Sequence, residues 1–111
     1  AVDVGEIINL DGITNQIEGG MIQAARWTLK EQVTFDQKGI TSTDWASYPI
    51  FRFSEIPEVE VAMINRLDKP AEGGGEVSMV PTGAAIANAV YNASGKRIYD
   101  LPITAEKIKS V

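Results

Sequence analysis

At 111 residues and 12.0 kDa the chain has room for one domain or part of one, and a composition of 44% hydrophobic and 23% charged residues excludes wholesale disorder. Ten Lys and Arg against fifteen Asp and Glu leave a net charge of -5, which supplies no basic face for nucleic acid, and no apolar run is long enough for a membrane span. With neither Cys nor His, the chain builds no disulfide, thiol nucleophile, Cys/His zinc site or Ser-His-Asp triad of its own.

The first nine residues, AVDVGEIIN, are rich in Val and Ile and predict a short strand. They lack the basic patch and apolar core of a signal peptide. A start without Met, inside a strand, is expected of a chain processed or cut from something longer. Leu10-Asp11-Gly12 is a turn, and a helix is predicted from about Ile13 to Gln32, capped by Asp11 or Thr14. Ile13, Ile17, Met21, Ala24, Ala25, Thr28 and Leu29 recur at spacings of three and four, which puts them on one face. Gly19-Gly20 interrupts that pattern at a cost on the order of 2 kcal/mol relative to Ala. Such a pair is tolerated where backbone comes close to another helix or to a ligand, and both alternatives stand at this point.

Residues 32–36 alternate as a strand, 37–39 turn, and 40–43 return as its partner. Trp45 and Tyr48 are expected to anchor the loop that follows. Glu58 to Asn65 is predicted as a strand with Val59 and Val61 on one face and Glu58 and Glu60 solvated on the other. Residues 66–81 form a loop rich in Pro, Gly and charge. Residues 82–95 are a second helix, with Thr82 as N-cap, Gly95 as the stop and an Ala-rich surface that something must approach closely. Ile98 to Ile103 is extended, and 104–111 is a flexible polar tail. The fold class is α+β: two helices packed on a small, mostly antiparallel sheet.

Two places can carry chemistry. In Gly73-Gly74-Gly75-Glu76 the glycines let backbone approach a ligand, and Glu76 is then presented to it from a partly desolvated position suited to a general base. The competing role is a surface turn with a solvated Glu. Gln16, in Gln16-Ile17-Glu18-Gly19-Gly20, has an amide that can both donate and accept, so it can meet a polar cofactor edge or simply face water.

The segments VDVGEIINLDG, NQIEGGMIQ, WTLKEQVTFDQKG and EGGGEVSMVPTGAAIANAVYNASGKRIYDLPI occur in an order and spacing that together carry a family likeness over residues 1–103. The chain resembles the C-terminal part of the molybdopterin-binding subunit of the xanthine dehydrogenase and aldehyde oxidase family. It is most similar to the bacterial isoquinoline 1-oxidoreductase beta subunits and membrane-associated aldehyde dehydrogenases. The resemblance implies a fragment of a larger molybdenum-binding domain. The implied enzyme oxidises aldehydes or hydroxylates N-heterocycles with molybdopterin cytosine dinucleotide. Glu76 matches the family's catalytic glutamate, the general base for a molybdenum-bound hydroxyl. Gln16 matches the glutamine beside the pterin, and Gly74 and Gly75 match backbone positions beside the metal.

Two positions depart from the family pattern: Val77 stands where Pro often follows the glutamate, and Ala24 where Gly often follows the second glutamine. The implied partners are the rest of the subunit and an iron–sulfur subunit or domain. The implied compartment is the cytoplasm or periplasm of a bacterium. By itself the chain is expected to hold no cofactor tightly, to be inactive and to self-associate through uncovered apolar surface. A noncatalytic α+β binding or assembly module is the alternative.

Overall fold

A computed structural model describes residues 1–110. In chain order the elements are β1 (Val2–Asp3), α1 (Leu10–Leu29), β2 (Phe35–Asp36), β3 (Gly39–Ile40), β4 (Met63–Ile64), α2 (Met79–Ser94) and α3 (Ala105–Ser110). A single 3₁₀ turn lies at Phe53–Glu55. The class is α+β, and the strands form two separate pairs. β1 pairs parallel with β4, Val2 opposite Met63, and β2 pairs antiparallel with β3, Phe35 opposite Ile40.

α1 forms where the apolar spacing predicts it but begins three residues earlier. Its N-cap is Asn9, whose Oδ1 accepts from the Gly12 N–H at 2.7 Å, and not Asp11 or Thr14. Thr14 lies inside the helix and donates back to the Leu10 carbonyl at 2.8 Å. α2 also starts earlier than Thr82. Ser78 flanks it, Pro81 falls within the first turn where N–H groups have no helical partner, and Thr82 is buried with Oγ1 donating to the Ser78 carbonyl at 2.6 Å. Gly95 ends α2 at φ 71°, a left-handed cap that favours glycine.

The core is the seam between α1 and α2. Ile17, Ala24, Ala25 and Thr28 of α1 are buried, with Val4 and Ile103 at its two ends. Gly20 is what lets the helices meet. A Cβ there would collide with Ser78 Oγ and lie 3.2 Å from Met79 Cγ. Of the two roles left open for the glycine pair, Gly20 therefore serves helix packing, while Gly19 faces open space. Across the same seam Ser78 Oγ donates to the Ile17 carbonyl at 3.1 Å. Farther along, the Ile103 N–H donates to the Thr28 carbonyl at 2.6 Å and holds the C-terminal segment against α1.

The segment expected to be a flexible tail contains a helix over residues 105–110, and Val111 lies outside the described residues. Lys107 Nζ donates to the Asp100 and Leu101 carbonyls at 3.1 and 3.2 Å, and Lys96 Nζ to the Ile108 carbonyl at 2.9 Å. These bonds give the polar segment partners that its sequence does not advertise.

Candidate cofactor-facing site

The site is where the loop before α2 crosses the N-terminal half of α1. Gly74 sits directly over Ile13: a Cβ at position 74 would overlap Ile13 Cδ1 and lie 3.7 Å from Val4 Cγ1. The absent side chain at 74 thus answers to packing inside the chain. One residue on, a Cβ at Gly75 would lie 3.5 Å from Gln16 Nε2, so the structure brings the helix motif and the glycine loop side by side. Gly73 faces open space. The Gln16 amide is exposed and makes no hydrogen bond among the described residues.

Glu76 follows on the same surface. Its carbonyl accepts from the Met79 N–H at 3.0 Å, which ties the end of the loop to the start of α2. Its side chain is exposed on this chain, not partly desolvated, which matches the solvated alternative left open by the sequence. It lines an open cleft of about 490 Å³ between α1 and α2, together with Trp27, Thr28, Val80 and Leu101. A second hollow of about 400 Å³ runs from Glu76 along Gly75 and Gly73.

The donors fit a pterin better than a bare metal. An exposed amide beside glycine backbone, with no side chains at 73 and 75, suits the hydrogen-bonding edge of a flat heterocycle. No group of three or more Asp, Glu, His or Cys that could hold a metal ion occurs among the described residues, so these side chains do not form a cage of their own.

Two features of the surroundings escape sequence reasoning. Trp27, Val80 and Leu101 become cleft walls only because α1 and α2 meet closely at Gly20 and Gly83. Glu31, just past α1, is buried and accepts from Arg26 Nε and, at 3.0 Å, from the Tyr48 hydroxyl. The hydrogen bond to Glu31 pushes the Tyr48 phenol above its ordinary value. Tyr48 anchors its loop as expected, whereas Trp45 is 75% exposed on this chain. A buried carboxylate next to an arginine and a tyrosine is a packing signal, but along the sequence Glu31 looks like any solvated residue after a helix.

Comparison with known proteins shows the family. The model of a molybdopterin cofactor-binding domain matches residues 1–57. One of the subunits of nicotinate dehydrogenase from Pseudomonas putida is 44% identical over 108 residues, 97% of this chain. The chain belongs to the molybdopterin-binding family of xanthine dehydrogenase and aldehyde oxidase type. Within that family, the molybdenum-binding subunit of an aldehyde oxidoreductase of Escherichia coli is 34% identical over 111 residues, covering 94% of this chain. The crystal structure of quinoline 2-oxidoreductase from Pseudomonas putida 86 superposes with a TM-score of 0.85 at 29% identity, covering 97% of this chain. The chain spans 9% and 15% of the length of the two curated relatives, and 15% of that crystallised chain.

Proposed function

We propose that this chain is the C-terminal part of the molybdenum-binding subunit of an oxidoreductase that oxidises aldehydes or hydroxylates N-heterocycles, with Glu76 as its general base. Family membership supports the cofactor class. The observation that carries the reading is the approach of Gln16 Nε2 to within 3.5 Å of the Cβ position of Gly75, which joins helix motif and glycine loop into one surface ending at Glu76.

The cofactor, proposed as molybdopterin cytosine dinucleotide, supplies the redox centre when bound. Gln16 donates a hydrogen bond to its polar edge. The backbone of Gly74 and Gly75 lies alongside, unobstructed by side chains. Glu76 would accept the proton lost by the attacking oxygen as it adds to the electron-poor carbon of the substrate, and the bound cofactor would supply the two-electron acceptor for the C–H bond that breaks. The hydrogen bond from the Met79 N–H to its carbonyl ties the Glu76 backbone to the start of α2, beside the cleft. The proposed partners are the remainder of the subunit and an iron–sulfur subunit or domain. The isolated chain is expected to turn over no substrate.

Glu76→Gln in the full-length protein tests the base. The amide keeps the size and loses the proton acceptor, so kcat is expected to fall by about 10²-fold or more with molybdenum content unchanged. Activity near the wild-type level would overturn the assignment and favour a noncatalytic role.

A further inference from the structure

Ser78 flanks the N-terminus of α2, where a serine ordinarily turns its oxygen toward the N–H groups of its own helix. Here it does not. Its backbone is already helical, at φ -84° and ψ -23°, and its side chain makes no cap hydrogen bond. The hydroxyl instead donates at 3.1 Å to the carbonyl of Ile17, 61 residues away on α1. The residue is 5% exposed, so this is a buried and directional contact. Two neighbours are shaped around it. Gly20 leaves the space that the hydroxyl occupies, since a Cβ there would collide with Ser78 Oγ. Thr82 Oγ1 donates to the Ser78 carbonyl at 2.6 Å and holds the backbone from the α2 side.

The contact joins the two motifs of the candidate site. Ser78 comes two residues after Glu76, and Ile17 directly follows Gln16. Between Glu72 and Ser78 the chain is GGGEV, and glycine backbone has the widest conformational choice. Such a loop holds a side chain in place only if it is fastened. Its near end is fastened where the Glu72 N–H donates to the Val4 carbonyl at 2.9 Å, and Gly74 is seated over Ile13. Its far end is tied to α1 by the hydrogen bond from Ser78. We infer that Ser78 is a positioning residue: by fastening the end of the glycine loop to the turn of α1 that carries Gln16, its hydroxyl fixes the separation between the Gln16 amide and the Glu76 carboxylate. A serine that served only to cap would aim its oxygen at α2. A misplacement on the order of 1 Å costs a reacting group roughly 10²-fold in rate, so the fastening bears directly on turnover. The inference rests on the proposal that Gln16 and Glu76 serve one cofactor site.

Ser78→Ala in the full-length, cofactor-loaded parent tests it. The Ile17 carbonyl still accepts within α1 as at any interior helix position, so the fold and the molybdenum content are expected to survive. kcat is expected to fall about 10-fold, with KM changed by less than about twofold. A residue of merely structural importance would lower the rate equally in any background, so the change is repeated on Glu76→Gln. There Ser78→Ala is expected to alter the residual rate by less than about twofold. An equal loss in both backgrounds, or no loss in the wild type, would overturn the inference. Hydrogen exchange of the peptide spanning residues 73–80 reads the fastening without turnover. It is expected to be at least about 10-fold faster in Ser78→Ala, and unchanged exchange would also overturn the inference. Ser78→Cys, which nearly keeps the volume and weakens the donor, serves if the alanine variant fails to fold. The outcomes separate from those for the base: near-wild-type activity of Glu76→Gln removes the base assignment alone, and the exchange rate then decides on the fastening by itself.

Discussion

Two adjacent glycines have opposite requirements. Gly20 lies where α1 meets the start of α2, and a methyl group there would meet Ser78 Oγ and press on Met79. The collision would also disturb the hydrogen bond that Ser78 donates to the Ile17 carbonyl. Gly20→Ala is expected to cost about 1–3 kcal/mol, the usual range for overpacking a well-fitted contact. Gly19 has nothing within 4 Å of its Cβ position. Gly19→Ala is expected to stabilise by about 0.5–1 kcal/mol through helix propensity alone. Chemical denaturation of the two variants side by side checks both signs. Equal effects would mean that the close approach at Gly20 contributes nothing. Gly74 belongs with Gly20, since Ile13 fills the space its side chain would need.

At the scale of elements, the 3₁₀ turn is fastened to the end of α1 by charge. Lys30 Nζ donates to both Glu55 carboxylate oxygens at 2.6 and 2.8 Å, and the Arg52 N–H donates to the same carboxylate at 2.7 Å. The bond from Lys30, then that from Arg52, hold the Glu55 carboxyl below its ordinary value of 4.5. A lowered pKa means stability that is present above the unfolded value and lost as pH falls through the folded one. The turn is therefore expected to loosen below about pH 4.5. Titration of Glu55 by carbon NMR should show a midpoint under 4.5, returning toward it in Lys30→Met. An unshifted midpoint in the wild type would contradict the pairing. The helices were legible in the sequence because α1 packs against α2 within this chain: Ile17, Ala24, Ala25 and Thr28 are all buried, as their spacing predicts. The strands were not. Residues 1–9, rich in Val and Ile, and the alternating residues 58–65 read as strands, but only Val2–Asp3 and Met63–Ile64 find partners here. Alternation records the presence of neighbours without saying whether they lie in the same chain. For the site, the motifs brought Gln16 and Glu76 to notice, whereas the cleft walls depend on a helix crossing that no local pattern encodes.

For the molecule as a whole, the small core limits what the chain can do unaided. Among the described residues five apolar side chains are buried, while Ile8, Leu10, Phe35, Phe53, Leu67 and Tyr99 are all well exposed. The chain expressed alone is expected to sediment as oligomers heavier than 12.0 kDa at micromolar concentration, through patches that water disfavours. A stable, catalytically silent monomer in analytical ultracentrifugation would refute that. The seam between α1 and α2 also has a consequence in time. About fifty residues separate the end of α1 at Leu29 from the start of α2 at Met79. At a synthesis rate of about 5–20 residues per second, α1 leaves the ribosome roughly 3–10 s before its partner helix exists. For that interval Ile17, Ala24 and Thr28 have no seam to enter, and the nascent chain offers a hydrophobic stripe to any chaperone that scans it.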